Sequence, residues 1–392
     1  MAVKIVRQPN KIALLGAPTS AAAMSAGHEG APAALRSAGL AERLRSAGYE
    51  VADLGDDPPQ IYKPDEESPR ARNLRAVIAA LEALKPRVEQ AVKSAALPVI
   101  LSGDCSIALA TVAGARRYFR NVSMIYMDRD ADLNTPATTP SGCVDGMTVS
   151  HLTGTGAAEM VRFWGEPPLV REPDLALFGV ARLDPAEEQL LTKSPLRCFH
   201  AMDIQRMGAA AAAKSAIDRI HANGYEFILH FDVDVIADFQ ATNYPGSGGL
   251  TLDDVRAALE VFAEQKHLAA VEITAYNPTK DPDGSGAKVI IDLLTDVLAK
   301  RLETLKAGAQ AAPVHATTSA AAAAKSPAGA VSLEPAPVPE PAPEAPVPEV
   351  AVGEAWSSDS LEDESPAGSP GENSGSSDSS TEPAAAEEET SS

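Results

Sequence analysis

The chain has 392 residues and a formal net charge of −21, of which −14 falls on residues 307–392 and −7 on the rest. That is length for one large or two ordinary domains, and the mildly acidic body has no basic face of the kind nucleic acid requires. The N-terminus lacks the apolar core of a signal peptide, and no apolar run approaches a membrane span.

Taken in order, Lys11–Gly16 reads as a short buried strand, and Pro32 is placed at the first turn of a helix expected over Ala33–Ser46. A strand follows at Glu50–Leu54. The apolar spacing from Asn73 to Leu97 predicts a long helix, with Pro86 placed to kink or break it midway. Pro98–Leu101 is a strand, ending in Ser102-Gly103-Asp104-Cys105-Ser106 and a helix to Ala115. The apolar run Val122–Met127 is a buried strand. A helix is expected near Ser150 and a strand at Leu175–Val180. Asp184-Pro185-Ala186-Glu187 opens a helix with acidic residues in its first turn. Cys198–His200 is a short strand. Ala209–Asn223 reads as an alanine-rich helix stopped by Gly224. Residues 226–231 form a strand, Thr251 caps a helix to Glu264, and Leu268–Thr274 is the last strand before a helix over Ala287–Ala307. Strands and helices alternate about eight times, which implies an α/β domain whose parallel sheet is covered on both faces.

Two strand ends are acidic. Asp128-Arg129-Asp130-Ala131-Asp132 follows the strand at 122–127, and Asp232-Val233-Asp234 follows the strand at 226–231. Strand C-termini are where open α/β sheets bind ligands. Carboxylates this close repel one another, and solvation, protonation or a bound cation relieves them. Two such ends in one chain suggest one shared cation site. The three cysteines, Cys105, Cys143 and Cys198, make no disulfide framework and suit a reducing compartment, so a soluble, cytoplasmic protein is expected. Beyond about residue 307, Ala, Pro, Glu, Ser and Thr dominate; residues 307–392 are expected to form a disordered acidic tail after a domain over 1–306.

Five stretches then fall into a known register: Leu15-Gly16-Ala17-Pro18 with Gly30–Arg36; Ser102–Ser106; Asp128–Asp132 with Leu133-Asn134-Thr135-Pro136 and Ser141-Gly142; Asp232-Val233-Asp234; and Asn277-Pro278. Over residues 11–306 the chain resembles the arginase/ureohydrolase family. The resemblance implies a three-layer αβα fold around an eight-stranded parallel sheet. It implies a divalent metal cofactor, one or two ions with Mn²⁺ the expected element, and a bridging hydroxide that attacks a guanidinium carbon. By position Asp128 and Asp232 would bridge two ions, Asp132 would bind the first and Asp234 the second. Asn134, Ser141 and Asp184 would hold the amino-acid end of a small guanidino or amidine substrate. No nucleic-acid or membrane partner is expected; a homo-oligomer, trimer or hexamer, is implied.

Four positions depart from the family pattern. Cys105 and Asp130 stand where it has histidine ligands, Asp145 where it has a loop histidine that relays protons, and Ala275 where it has a glutamate that pairs with the guanidinium. Thiolate suits Zn²⁺ better than Mn²⁺, whereas carboxylate suits hard ions. The metal ligands expected are thus Cys105, Asp128, Asp130, Asp132, Asp232 and Asp234, with Asp132 and Asp145 at the reaction centre. Asp130 or Asp145 is the candidate replacement for the missing glutamate, and Arg129 is a charge partner for its neighbours or a surface residue. Cys105 reads equally as a buried packing residue, and His28, His151, His200 and His230 read as core or surface histidines. Two functions follow: a metal-dependent hydrolase of guanidino or linear amidine C–N bonds, or a catalytically degenerate relative used for binding or assembly.

Overall fold

A computed structural model describes residue 5 and residues 7–311, apart from 163, 222 and 223. The tail expected from 307 lies outside these residues beyond 311, and the final helix extends through Ala311 rather than ending at Ala307.

Eight strands make one sheet: β1 (Lys11–Ala17), β2 (Glu50–Asp56), β3 (Leu97–Ser102), β4 (Val122–Met127), β5 (Leu175–Val180), β6 (Arg197–His200), β7 (Glu226–Asp232) and β8 (Leu268–Thr274). Their order is β2-β1-β3-β8-β7-β4-β5-β6, and every pair is parallel. The expected eight-stranded α/β sheet is therefore present. β3, β4, β5 and β8 are buried throughout, as a sheet covered on both faces demands.

Alternate strand residues feed two separate cores. Leu14, Val99, Met127, Phe178 and Phe231 face one layer, which includes α1 (Ala31–Ser37), α2 (Leu40–Ser46), α9 (Ala209–Ile220), α10 (Leu252–Ala263) and α11 (Ser285–Ala311). Leu15, Ile100, Met124, Leu177 and Ile228 face the other, with α3 (Leu74–Lys93), α4 (Ala108–Ala115), α5 (Thr148–Thr153) and α6 (Ala158–Arg162). Each fully buried large apolar side chain contributes about 1.5–3 kcal/mol. Phe178 meets Phe262 of α10 edge to face at 5.1 Å, which ties the sheet to that helix. The short helices α7 (Pro185–Leu191) and α8 (Ala201–Met207) flank β6.

Two helix expectations need correction. The helix over 33–46 is split into α1 and α2, because Gly39 takes φ +91°, outside helical space. Pro86 does not break α3, which runs uninterrupted. Proline inside a helix costs about 3 kcal/mol, but α3 buries Val77, Leu81, Leu84, Val88 and Val92, and that burial outweighs the lost hydrogen bond. The alanine-rich helix covers Ala209–Ile220, and its expected end at Asn223 lies outside the described residues. Among the described residues no helix is long and apolar enough to cross a membrane.

His151 of α5 is buried, and neither ring nitrogen has a hydrogen-bond partner. Burial lowers its pKa from 6.5 to about 4. Below pH 6.5 the unfolded chain takes up a proton that the folded chain refuses, so this histidine costs stability increasingly as pH falls from 6.5 to about 4. His151→Leu is expected to stabilise the fold by about 1–3 kcal/mol at pH 7, and by more at pH 5. Thermal melts at the two pH values check this; an equal gain at both would contradict it.

Candidate metal centre and substrate cleft

The strand order explains why separate motifs meet. β3, β8, β7 and β4 are neighbours in that sequence, so the loops after all four open at one edge of the sheet. Cys105 comes from the turn after β3, Asp128 and Asp132 from the turn after β4, Asp232 from the end of β7 and Asp234 from the turn after it. The first turn needs glycine: a Cβ on Gly103 would lie 1.9 Å from the Thr19 carbonyl oxygen. Asp104 is locked in place by Thr19 Oγ1 at 2.9 Å and Ala22 N at 3.1 Å, which donate to its carboxylate.

Cys105, Asp128, Asp232 and Asp234 are all buried. Cys105 Sγ lies 3.0 Å from Asp232 Oδ2 and 4.0 Å from Asp128 Oδ2. One donor atom each from Cys105, Asp128, His230 and Asp232 falls within 4.8 Å of the others, and so does one each from Asp128, Asp130 and Asp234. Asp132 stands outside both groups and accepts from Tyr126 Oη at 2.5 Å. It sits at φ +51°, in left-handed space that L residues seldom occupy.

The electrostatics are those of a crowded acidic centre. Burial first, and then neighbouring carboxylates, push Asp128, Asp132, Asp145 and Asp234 well above the usual carboxylate range. Burial and then the Asp232 charge push the Cys105 thiol up as well. Asp234 Oδ1 is buried with no hydrogen-bond partner. A cation among these groups relieves the repulsion between the buried carboxylates, so the donor set fits a divalent ion.

Two arginines already supply part of that charge. Arg129 is buried; its Nη2 lies 3.3 Å from Asp234 Oδ2 and donates to the Tyr244 carbonyl at 2.5 Å. Gly246 leaves the space it fills, since a Cβ there would lie 2.0 Å from Arg129 Nη1. Arg182 grips Asp130 with both Nε and Nη2.

Above this centre a cleft of ≈ 280 Å³ is lined by Asp130, Asp132, Asn134, Ser141, Asp145 and Asp184, together with Arg182 and Tyr244. Cys105, Asp128, Asp232 and Asp234 do not line it. Asn134 Nδ2 donates to Asp184 Oδ2 at 2.8 Å. Asp184 caps α7 in a reciprocal arrangement with Glu187, and Glu187 in turn accepts from Leu133 N at 2.9 Å. The expected substrate-binding residues Asn134, Ser141 and Asp184 thus line one cleft. Asp145 reaches the cleft too, accepting from Cys105 N at 2.6 Å and from Tyr244 Oη at 3.4 Å. Ala275 is buried and absent from the lining.

Sequence reasoning did not single out Arg182 or Tyr244; it set Glu272 aside as a substitute for the missing glutamate because of its strand register, and it placed His230 among core or surface histidines. Arg182 stood just past a strand end beside Asp184, which was a usable signal. Tyr244 carried none.

A buried acidic cluster at the strand ends, able to hold a cation, beside a polar cleft is an arrangement that suits an α/β hydrolase. The model of the arginase family matches residues 10–299, and the chain belongs to the arginase family of hydrolases. The arginase of Neurospora crassa is 32% identical over 292 residues, covering 70% of this chain and 81% of that one. The arginase of Bacillus caldovelox is 29% identical over 297 residues, covering 74% and 99%. The crystal structure of the Bacillus caldovelox arginase superposes with a TM-score of 0.68 at 28% identity, covering 74% of this chain and 98% of that one.

Proposed function

We propose that the chain hydrolyses a C–N bond in a small guanidino or linear amidine compound, with a divalent ion held by Cys105, Asp128 and Asp232. The single observation that carries this reading is the cleft itself. Buried Asp132 and Asp145 share it with Asn134, Ser141 and Asp184, so the reaction end and the anchoring end belong to one space. Relatives of related architecture are named as arginases, a formimidoylglutamase and a proclavaminate amidino hydrolase.

An ion held there would supply Lewis acidity to the reacting group and lower the pKa of water toward neutrality. The protein does the rest. The acidic lining draws in a cationic guanidinium. Asp184 accepts from a substrate ammonium, while Asn134 and Ser141 donate to a carboxylate. Asp145 takes the place of the missing proton carrier by position: it lines the cleft, accepting from Cys105 N at 2.6 Å and from Tyr244 Oη at 3.4 Å. It also offers the guanidinium the carboxylate that Ala275 lacks, because Asp130 is already bound by Arg182. The single replaced contact, worth about 1.5–3 kcal/mol, lowers kcat/KM for L-arginine by roughly 10- to 150-fold against an enzyme with the glutamate. The homo-oligomer implied by the resemblance is part of this proposal, and light scattering measures it.

The test is a panel of guanidino and amidine compounds, with and without an α-amino-acid end, offered to the full chain loaded with Mn²⁺ or Zn²⁺. Urea or ammonia release from at least one amino-acid member is expected. Asp184→Ala should raise KM for it by about 10- to 100-fold, the worth of one charge-assisted contact. No release from any member with either metal would end this reading. A second reading, binding without turnover, is favoured by one observation: Arg129 and Arg182 already neutralise Asp234 and Asp130.

A further inference from the structure

Where the family pattern has histidine, this chain has Cys105 and Asp130. A histidine nonetheless reaches the centre, from a position outside the motifs. His230 lies on β7 two residues before Asp232, and strand alternation puts both on one face of the sheet. The register pairs His230 with Glu272 and Asp232 with Thr274 on β8. It also pairs His230 with Tyr126 on β4, whose ring stacks on the imidazole at 4.2 Å and 3°. These strands therefore fix the imidazole plane.

Glu272 completes the arrangement. Its Oε2 lies 2.8 Å from His230 Nδ1, and both side chains are wholly buried. A carboxylate only accepts, which places the proton on Nδ1 and leaves the Nε2 lone pair free. Nε2 faces Thr274 Oγ1 at 3.3 Å, and that hydroxyl lies 3.4 Å from Cys105 Sγ and 3.5 Å from Asp232 Oδ2. An imidazole held by a carboxylate through one nitrogen, with the other beside the thiol and carboxylate donors of Cys105, Asp128 and Asp232, is how metal-binding histidines are oriented.

The donors number four, the coordination preferred by Zn²⁺, and they lie within 4.8 Å of one another, so an ion bound at about 2.0–2.3 Å draws them inward. Sulfur and imidazole in the set favour Zn²⁺ over Mn²⁺. The neighbouring acidic group, Asp128, Asp130 and Asp234, has guanidinium charge against it from Arg129 and Arg182. Two fixed cations repel a second divalent ion there.

We propose that this chain holds a single zinc-type ion through Cys105, Asp128, His230 and Asp232, with Glu272 as the positioning residue and Arg129 and Arg182 in place of a second ion. This deepens the reading above and rests on its placement of a cation at this centre, not on turnover.

The full chain, stripped of metal, is titrated with Zn²⁺, Mn²⁺ and Co²⁺, and bound metal is counted by mass spectrometry. One Zn²⁺ per chain is expected, held more tightly than Mn²⁺. The Co²⁺ form should show a thiolate-to-cobalt charge-transfer absorption that Cys105→Ser abolishes. Glu272→Gln should weaken Zn²⁺ binding by about 10- to 100-fold, and His230→Gln by more, with circular dichroism confirming that both variants fold. The wild-type cobalt spectrum needs no variant, and its lack of a thiolate band would overturn the proposal. So would two Mn²⁺ per chain with unchanged affinity in His230→Gln; turnover in that state would keep the hydrolase reading. One Zn²⁺ with the thiolate band but no hydrolysis of any panel member would do the reverse.

Discussion

Asp232→Asn is expected to abolish hydrolysis and lower divalent-ion affinity by more than about 100-fold, beyond what loss of an outer-shell partner costs. Asp232 sits at the junction of the centre. Its Oδ2 lies 3.0 Å from Cys105 Sγ, and its Oδ1 accepts from Asp234 N at 2.7 Å. Its charge is the leading electrostatic cause, after burial, of the elevated pKa values of Cys105, Asp128 and Asp234. Asparagine keeps the shape and still accepts from the Asp234 amide, but it removes the charge. Without metal the variant should therefore be the more stable protein, by about 1–3 kcal/mol for charges this close at a partly screened site. Metal-loaded, it should be the less stable one. Denaturant midpoints with and without Zn²⁺ measure both; a variant that bound metal as the parent does would contradict the assignment.

Arg129→Met should be the most destabilising change near the site that leaves the ligands themselves untouched. Arg129 is buried, faces Asp234 and donates to the Tyr244 carbonyl. Its removal strands a buried carboxylate without its partner, at a cost of about 3–5 kcal/mol. Saturating divalent ion should restore part of the loss, because a ligand that binds only the folded chain stabilises it by mass action. A loss below about 1 kcal/mol, the scale of an exposed pair, would mean that Arg129 does not carry the counter-charge.

The middle of the sheet was legible because strands such as β3, β4 and β5 are largely apolar and wholly buried, and the acidic strand ends at Asp128–Asp132 and Asp232–Asp234 marked the edge where the site lies. What escaped was what depends on pairing order. Period-2 reading of 226–231 would have put His230 on the face of Asp232. Nothing local says that β8 lies beside β7 with Glu272 opposite His230. The same holds for Arg129, which as sequence reads equally as a surface residue. It is buried, and it packs against Tyr244 and Gly246, which are remote in the sequence. The split at Gly39 was readable from the glycine. The continuity of α3 through Pro86 was not, because tertiary burial outweighs a local penalty there.

The central claim is that a divalent ion at this centre hydrolyses a guanidino or amidine C–N bond. Its most direct test follows urea or ammonia release by the chelator-stripped full chain as Zn²⁺ or Mn²⁺ is added back, with Asp232→Asn alongside. Release that is absent from the stripped protein, returns in proportion to bound metal and never returns in Asp232→Asn is the predicted result. Release that persists without metal, or that Asp232→Asn retains, would contradict it.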